Sequence, residues 1–407
     1  MYGLVLEGGG AKGAYHIGAL KAIKELNLEV EAVAGTSIGA MNGAMFVQGK
    51  LDIAYDYWYN ISTAEVLDIE DKHLSNLLNL SINQNNLIYF IKKFKEVIQN
   101  RGLDNSFLRK ILEENIDEKK LRDAKIDFAI VTLSLSDLRP LELFIEDIPQ
   151  GKLVDYIMAS SYLPAFKMQR IDGKILIDGG FYENLPIKTL LKKGYQKIIA
   201  IRTYSLGKIE QKSTENENII FINPSQNLGR MLNFEQKNAR QNIEMGYYDT
   251  LRYFKNLAGT KYYLNINETE NFFINYLLKL DKKVIKKLLK QFSLPEEPYL
   301  RSFLENLIPK LINLLEIDYS SDYKKIIISL LEKLADNLEI NRYQIYKFKE
   351  LLTLVNKNYQ KKDKKLVKKL PAFIKKSGFL PKQLKEDLLL DIAAKLFIEP
   401  GGNNFYE

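Results

Sequence analysis

Three glycine-bearing segments carry the residues that could do chemistry: Gly8-Gly9-Gly10-Ala11-Lys12-Gly13, Gly35-Thr36-Ser37-Ile38-Gly39 and Asp178-Gly179-Gly180. Each follows a short apolar run that reads as a β-strand. Each therefore falls at a strand's C-terminal end, the edge of an open α/β sheet where reacting groups gather. The middle segment is Gly-x-Ser-x-Gly, the pattern of a nucleophile elbow, in which a sharp strand-to-helix turn exposes the serine hydroxyl. The first segment offers backbone N–H groups at the start of a helix, suited to an oxyanion. The third supplies a carboxylate. A nucleophile, an oxyanion hole and a base together read as an acyl hydrolase.

Each signal has a plainer alternative. Gly-x-Ser-x-Gly can be a tight turn with a solvated serine, but here Glu29 to Ala34 precedes it with strand character. Ala40-Met41-Asn42-Gly43-Ala44-Met45 follows it with small, helix-favouring residues. Gly35 and Gly39 allow the close backbone approach that a strained elbow needs. Gly8 to Gly13 also fits Gly-x-Gly-x-x-Gly, the dinucleotide fingerprint, which requires an acidic residue at the end of the second strand. Glu31 falls at the start or middle of that strand, and its end is Gly35-Thr36-Ser37, so the oxyanion-hole reading is preferred. Of two Asp-Gly pairs, Asp172-Gly173 lies between two strand-like runs and reads as a hairpin turn. Asp178 ends the run Ile175-Leu176-Ile177 and is the preferred base.

A serine hydrolase usually takes its base from histidine, and the chain has two, His16 and His73. His16 falls inside the first helix, where packing is the expected role. His73 lies in the polar stretch Asp71-Lys72-His73. A Ser37–Asp178 dyad is the simpler account.

The elements that must position these residues alternate between strand and helix up to about residue 258. Strands are expected near Leu4, Val33, Phe128 to Leu135, Leu141 to Ile145, Ile175 to Ile177, Ile198 to Arg202 and Ile219 to Ile222. Helices are expected from about Lys12 to Leu26 and from roughly Asn227 to Asn256. Such alternation predicts an α/β fold with a mostly parallel sheet flanked by helices. Beyond Ala258-Gly259-Thr260 the pattern is almost purely helical, with Leu277, Leu278, Val284, Ile285, Leu288 and Leu289 at helical spacing. Further amphipathic runs lie at Leu304 to Leu315, Ile326 to Leu334 and Leu384 to Leu396. Pro295, Pro309, Pro371 and Pro381 punctuate these helices or their ends. The expected organisation is a hydrolase domain over 1–258 and a helical, basic domain over 261–407.

Charge follows the same division. Residues 1–260 hold 32 Lys and Arg against 32 Asp and Glu, so the whole net charge of +8 belongs to the remainder. Two basic stretches, Lys282 to Lys290 and Lys361 to Lys369, could meet an anionic lipid surface. The plainer reading is the solvated face of a helical bundle. No nucleic-acid recognition motif accompanies the charge, and nucleic acid is not expected as a partner. Trp58, within Tyr55 to Tyr59, is read as core rather than as a lipid contact. The chain has no cysteine, which excludes disulfides and thiolate metal sites. With no leader or spanning segment apparent in the sequence, the expected location is cytoplasmic, with peripheral membrane contact through 261–407.

These residues resemble the patatin-like phospholipases, a family seen also as bacterial patatins and as the catalytic part of calcium-independent phospholipases A2. The resemblance rests on Gly8 to Gly13 with Lys12 as its basic residue, on Gly35 to Gly39, and on Asp178-Gly179-Gly180. Ala159 to Phe166 is similar to the family's small-residue segment before the aspartate. The coverage is about Met1 to Ala258, in the family's order. The resemblance implies a three-layer α/β fold and a Ser-Asp dyad that hydrolyses acyl esters of lipids. By it Ser37 is the nucleophile, Asp178 the base, and Gly8, Gly9, Gly10, Ala11, Lys12 and Gly13 the oxyanion hole. No cofactor or metal is implied, and no calcium-loop signature is visible. An esterase, thioesterase or acyltransferase would use the same acyl-enzyme, and a partner-binding protein with a vestigial hydrolase domain is the alternative of another class. Head group, acyl chain and oligomeric state lie beyond the sequence.

Overall fold

The computed structural model describes residues 1–61, 106–137, 139–161, 170–205, 218–318, 322–359 and 381–398. His73, Tyr162 to Phe166, Lys361 to Lys369 and Pro371 lie outside these residues. The chain divides into two compact units, Met1–Tyr253 and Phe254–Glu407.

The first unit is built on an eight-stranded sheet of β1 (Tyr2–Leu6), β2 (Val30–Thr36), β3 (Asp127–Ser134), β4 (Arg139–Phe144), β5 (Arg170–Ile171), β6 (Lys174–Asp178), β7 (Ile198–Ile201) and β8 (Ile219–Ile222). The order is β5-β6-β3-β2-β1-β7-β8, with β4 also paired to β3. Pairings from β3 through β2, β1 and β7 to β8 are parallel, and those of β4, β5 and β6 are antiparallel. The central parallel strands are covered on both faces, which explains their near-continuous apolar runs: Leu4, Val5, Leu6 and all of Ile198–Ile201 are buried. The strands expected from sequence are all present. Asp172 and Gly173 both adopt positive φ (48° and 78°) between β5 and β6, the two-residue hairpin turn expected there.

One register detail positions the chemistry. On β3, residues 129–131 pair with both β2 and β4, and residues 132–134 pair with both β4 and β6. A strand has two edges, so β2 and β6 share one edge of β3 and meet there end to end. Thr36 lies opposite Val131 and Asp178 opposite the next residue, Thr132. The chain leaves β2 at Ser37, where β6 arrives with Asp178.

The helix expected from Asn227 is shorter, Gln236–Phe254. The Asn227 and Asn233 side chains accept from Gly229 N (2.8 Å) and Glu235 N (3.2 Å), and Gly229 takes φ 88°. These local side-chain turns compete with helix and delay its start.

The second unit has a core of its own, formed by apolar residues of helices Glu270–Leu278, Lys282–Gln291, Ile308–Leu315, Tyr323–Asn337, Phe348–Tyr359 and Lys382–Phe397. It also holds a parallel ladder of Tyr263–Asn265 with Ile345–Lys347, which the helical reading of this region did not anticipate. Its first loop is organised by the buried Glu332, whose carboxylate accepts from the N–H groups of Thr260, Lys261 and Tyr262. In the basic helix Lys282–Gln291, the apolar residues Val284, Ile285, Leu288 and Leu289 are buried in that core. Lys282 and Lys286 pair with Glu297 at 3.4 and 2.6 Å. A helix that lies in a lipid interface buries its apolar face there. This one has its apolar face in the protein, so its lysines alone remain for an anionic surface. No helix among the described residues is long and apolar enough to cross a membrane.

Candidate active site

Ser37 closes β2 and is the N-cap residue of α2 (Ile38–Val47). Its backbone has φ 56° and ψ −127°, a conformation that costs a non-glycine residue on the order of 1–3 kcal/mol. Such strain is what the elbow read from the sequence would need, and the flanking glycines make it possible. A Cβ on Gly35 would lie 2.3 Å from the backbone of Gly39, and one on Gly39 would lie 2.3 Å from the Leu6 carbonyl oxygen. The elbow folds against β1 with no room for a methyl group. Gly39→Ala is therefore expected to lower stability by about 2 kcal/mol or more, because backbone must move. Thermal unfolding beside the parent protein checks this, and an unchanged midpoint would contradict it.

Asp178 ends β6 and is buried. Its Oδ1 accepts from Gly180 N at 2.7 Å, and the Ser37 side chain lies near enough to the carboxylate to favour its charged form. Burial is the largest influence on its pKa and raises it to about 6, against the opposing effect of the Gly180 amide and the Ser37 side chain. Gly179 lets the turn pass β3: a Cβ there would lie 2.2 Å from the Val131 carbonyl oxygen. A serine and a carboxylate of raised basicity thus face each other where β2 and β6 meet.

The Gly-rich segment follows β1, the strand beside β2, and forms a short 3-10 turn, Gly10–Gly13, before α1 (Ala14–Glu25). Three of its amides are committed internally. Gly8 N donates to Asn184 O (3.0 Å), Ala11 N to Met231 O (2.7 Å) and Lys12 N to Gly9 O (3.1 Å). The sequence reading assigned the oxyanion hole to the whole run from Gly8 to Gly13, and these three amides already donate within the protein. Gly9 N and Gly10 N have no acceptor among the described residues. Lys12 Nζ donates to the carbonyls of Thr203 (3.3 Å) and Tyr204 (3.1 Å), and burial lowers its pKa despite the opposing effect of Glu7. The lysine fixes backbone here.

Residues 4–191 match the family model of the patatin-like phospholipases. Over these residues, just under half of its length, the chain is similar to a patatin-like phospholipase domain. It is 26% identical over 220 residues to a patatin-like phospholipase domain-containing protein of Caenorhabditis elegans, covering 51% of this chain and 14% of that protein. The neuropathy target esterase of Drosophila melanogaster is 30% identical over 204 residues, with 49% and 12% covered. A lysophospholipase of Mycosarcoma maydis is 25% identical over 206 residues, with 50% and 10% covered. The chain thus spans a small part of the length of these curated relatives. Among solved structures, VipD from Legionella pneumophila aligns over 99% of this chain and 93% of its own at 14% identity, with a TM-score of 0.41.

In the patatin-like domain, His16 is fully buried within α1, and its Nε2 has no hydrogen-bond partner among the described residues. Its Nδ1 lies 3.4 Å from Asn42 Nδ2, and burial lowers its pKa to about 3, so it stays neutral. Trp58 is core: its Nε1 donates to Asn42 Oδ1 at 3.0 Å, and Asn42 Nδ2 donates to the Gly13 carbonyl at 3.0 Å.

The sequence reading passed over the residues that hold the three segments together. Glu7, last before the glycines, is buried and accepts from Arg202 Nε (3.0 Å) and Thr203 N (2.6 Å). Asn184, six residues beyond Asp178, accepts from Gly8 N and places its Nδ2 3.4 Å from Glu7 Oε1. Thr203 Oγ1 donates to the Gly8 carbonyl at 2.7 Å. Ionisable Glu7 inside an otherwise apolar strand end was the one visible signal, since a carboxylate there needs partners.

Proposed function

We propose that the patatin-like domain hydrolyses acyl esters of lipids through an acyl-enzyme on Ser37, with Asp178 as the base. The observation that carries this is the end-to-end meeting of β2 and β6 on one edge of β3, which brings Ser37, on a strained positive-φ turn, to the buried carboxylate of Asp178. In acylation Ser37 Oγ attacks the ester carbonyl carbon and its proton passes to Asp178. The carbonyl oxygen, now negative, is received by the N–H groups of Gly9 and Gly10. Collapse expels the alcohol, which takes the proton from Asp178. Water then attacks the acyl-enzyme, gives a proton to the same carboxylate, and the acid leaves as Ser37 regains its hydrogen.

The lipid part of the proposal draws on the family description and on the relatives' names. Contact of residues 261–407 with an anionic surface is its electrostatic component, through lysines rather than an inserted helix face. The test is a panel of phospholipids, lysophospholipids, a short-chain ester and an acyl thioester, with released fatty acid measured by mass spectrometry. Release from a phospholipid or lysophospholipid, lost in Ser37→Ala, is expected. Release from the thioester alone, acyl transfer to an added alcohol without free acid, or no turnover of any lipid would overturn the lipid-hydrolase reading.

A further inference from the structure

We propose that Ser160 is a positioning residue for this reaction, holding the nucleophile's backbone to the strand that also bears the base; the inference rests on the dyad reading above. Ser160 is fully buried and caps the C-terminal end of helix Leu153–Ala159. Its Oγ accepts from Ser37 N at 2.9 Å and donates to the Val131 carbonyl at 2.6 Å. The hydroxyl has one proton and free lone pairs, so it serves both contacts at once.

The geometry gives this bridge a specific task. Thr36 is the last β2 residue in register with β3, opposite Val131. At Ser37 the chain turns out of the sheet into its positive-φ conformation, and the nucleophile's N–H is taken up by a side chain rather than by β3 directly. Ser160 stands between that N–H and Val131. The residue after Val131, Thr132, is the partner of Asp178, and Gly179 passes directly over the Val131 carbonyl. One hydroxyl therefore sets the spacing between the backbone of the nucleophile and the strand position that fixes the base.

The helix that delivers Ser160 is itself tied down. Asp155 accepts from Arg109 Nη2 at 2.9 Å, and the Tyr156 hydroxyl donates to Asp172 in the β5–β6 turn at 2.8 Å. Ser160 N donates to Tyr156 O at 3.0 Å. The hydroxyl is thus held in place from behind, as positioning requires. Without it, the strained elbow could relax by rotation about Ser37, and the Oγ would swing off line with both Asp178 and the bound ester. Misplacement of a reacting atom by about 1 Å can cost on the order of a hundredfold.

The test uses the full chain as Ser160→Ala and, as a near-isosteric variant with a weaker acceptor, Ser160→Cys. Three readings are taken on each: the rate of Ser37 labelling by a fluorophosphonate, kcat and KM on a soluble short-chain ester, and the thermal midpoint. The expected result is a fall in labelling rate and kcat of about ten- to a hundredfold in Ser160→Ala. Ser160→Cys should lie between it and the parent, with KM nearly unchanged, and the loss in Ser160→Ala should persist at temperatures where every variant is fully folded, although its midpoint falls. Labelling and kcat at parental rates in Ser160→Ala would overturn the proposal. So would a loss in both variants that simply follows a fall in midpoint, since that is a packing role. If the parent protein itself is not labelled at Ser37, the dyad reading fails instead, and the two failures are told apart.

Discussion

Ser37→Ala is expected to lower ester hydrolysis on the order of a thousandfold or more while leaving the protein folded. A nucleophile that acts as part of a unit takes most of the catalysis with it when removed. The fold should survive because alanine meets the same backbone strain as serine and keeps the N–H that donates to Ser160. What is lost is the hydroxyl beside Asp178. The Ser37 side chain and Gly180 N both act to lower the pKa of a carboxylate raised by burial, so the variant's Asp178 should be harder to ionise still. The check is steady-state hydrolysis beside a thermal melt. Near-parental turnover on any ester would remove Ser37 from the mechanism.

Asp178→Asn is expected to cost on the order of a thousandfold in acylation, within the range that a positioned base contributes, because an amide cannot accept the serine proton. His16→Ala should keep a working base, since His16 is buried and neutral, with its Nδ1 beside Asn42 and no hydrogen bond to Asp178 among the described residues. The pH behaviour follows from the same carboxyl. The base is competent only when ionised, so kcat/KM in the parent should fall about tenfold per pH unit below about 6. Stability runs the other way. A carboxyl whose pKa is higher folded than unfolded contributes stability that is present below about pH 4 and is lost as pH rises to about 6. A rise of about two in pKa corresponds to about 3 kcal/mol, so charged Asp178 costs the fold that order of energy at pH 8. The neutral amide of the Asp178→Asn variant avoids this cost, and its carbonyl oxygen can still accept from Gly180 N. The inactive variant should thus be the more stable protein at pH 8 and no more stable at pH 4. Equal stability at both values would show that burial does not govern this carboxyl.

The placing of Ser37 and Asp178 at adjoining strand ends was legible because its signals are local. Ser37 and Asp178 each end an apolar run and each is followed or flanked by glycine, and the reason for those glycines is the tight backbone approach seen at Gly35, Gly39 and Gly179. The strands were legible for a related reason: buried parallel strands leave continuous apolar runs such as Ile198–Ile201. Ser160 was not legible in its role. It contacts Ser37 from 123 residues away, and nothing in a serine's neighbours announces which backbone group it will meet. Which amides of the Gly-rich loop stay free was equally hidden, because Met231 and Asn184 supply the acceptors from remote parts of the chain. The three-residue strands Tyr263–Asn265 and Ile345–Lys347 are too short for alternation to show, and only the tertiary fold brings them together.

The central claim is that Asp178 activates Ser37, and the most direct measurement is the rate at which a fluorophosphonate modifies Ser37, mapped by peptide mass spectrometry from pH 4.5 to 8 in the parent and in Asp178→Asn. The account predicts a single adduct on Ser37, a rate in the parent that falls as pH drops through about 6, and a rate in Asp178→Asn that is lower by orders of magnitude at pH 8 and flat across the range. An adduct on another residue, or Ser37 labelled in Asp178→Asn at the parental rate with the parental pH profile, would contradict it.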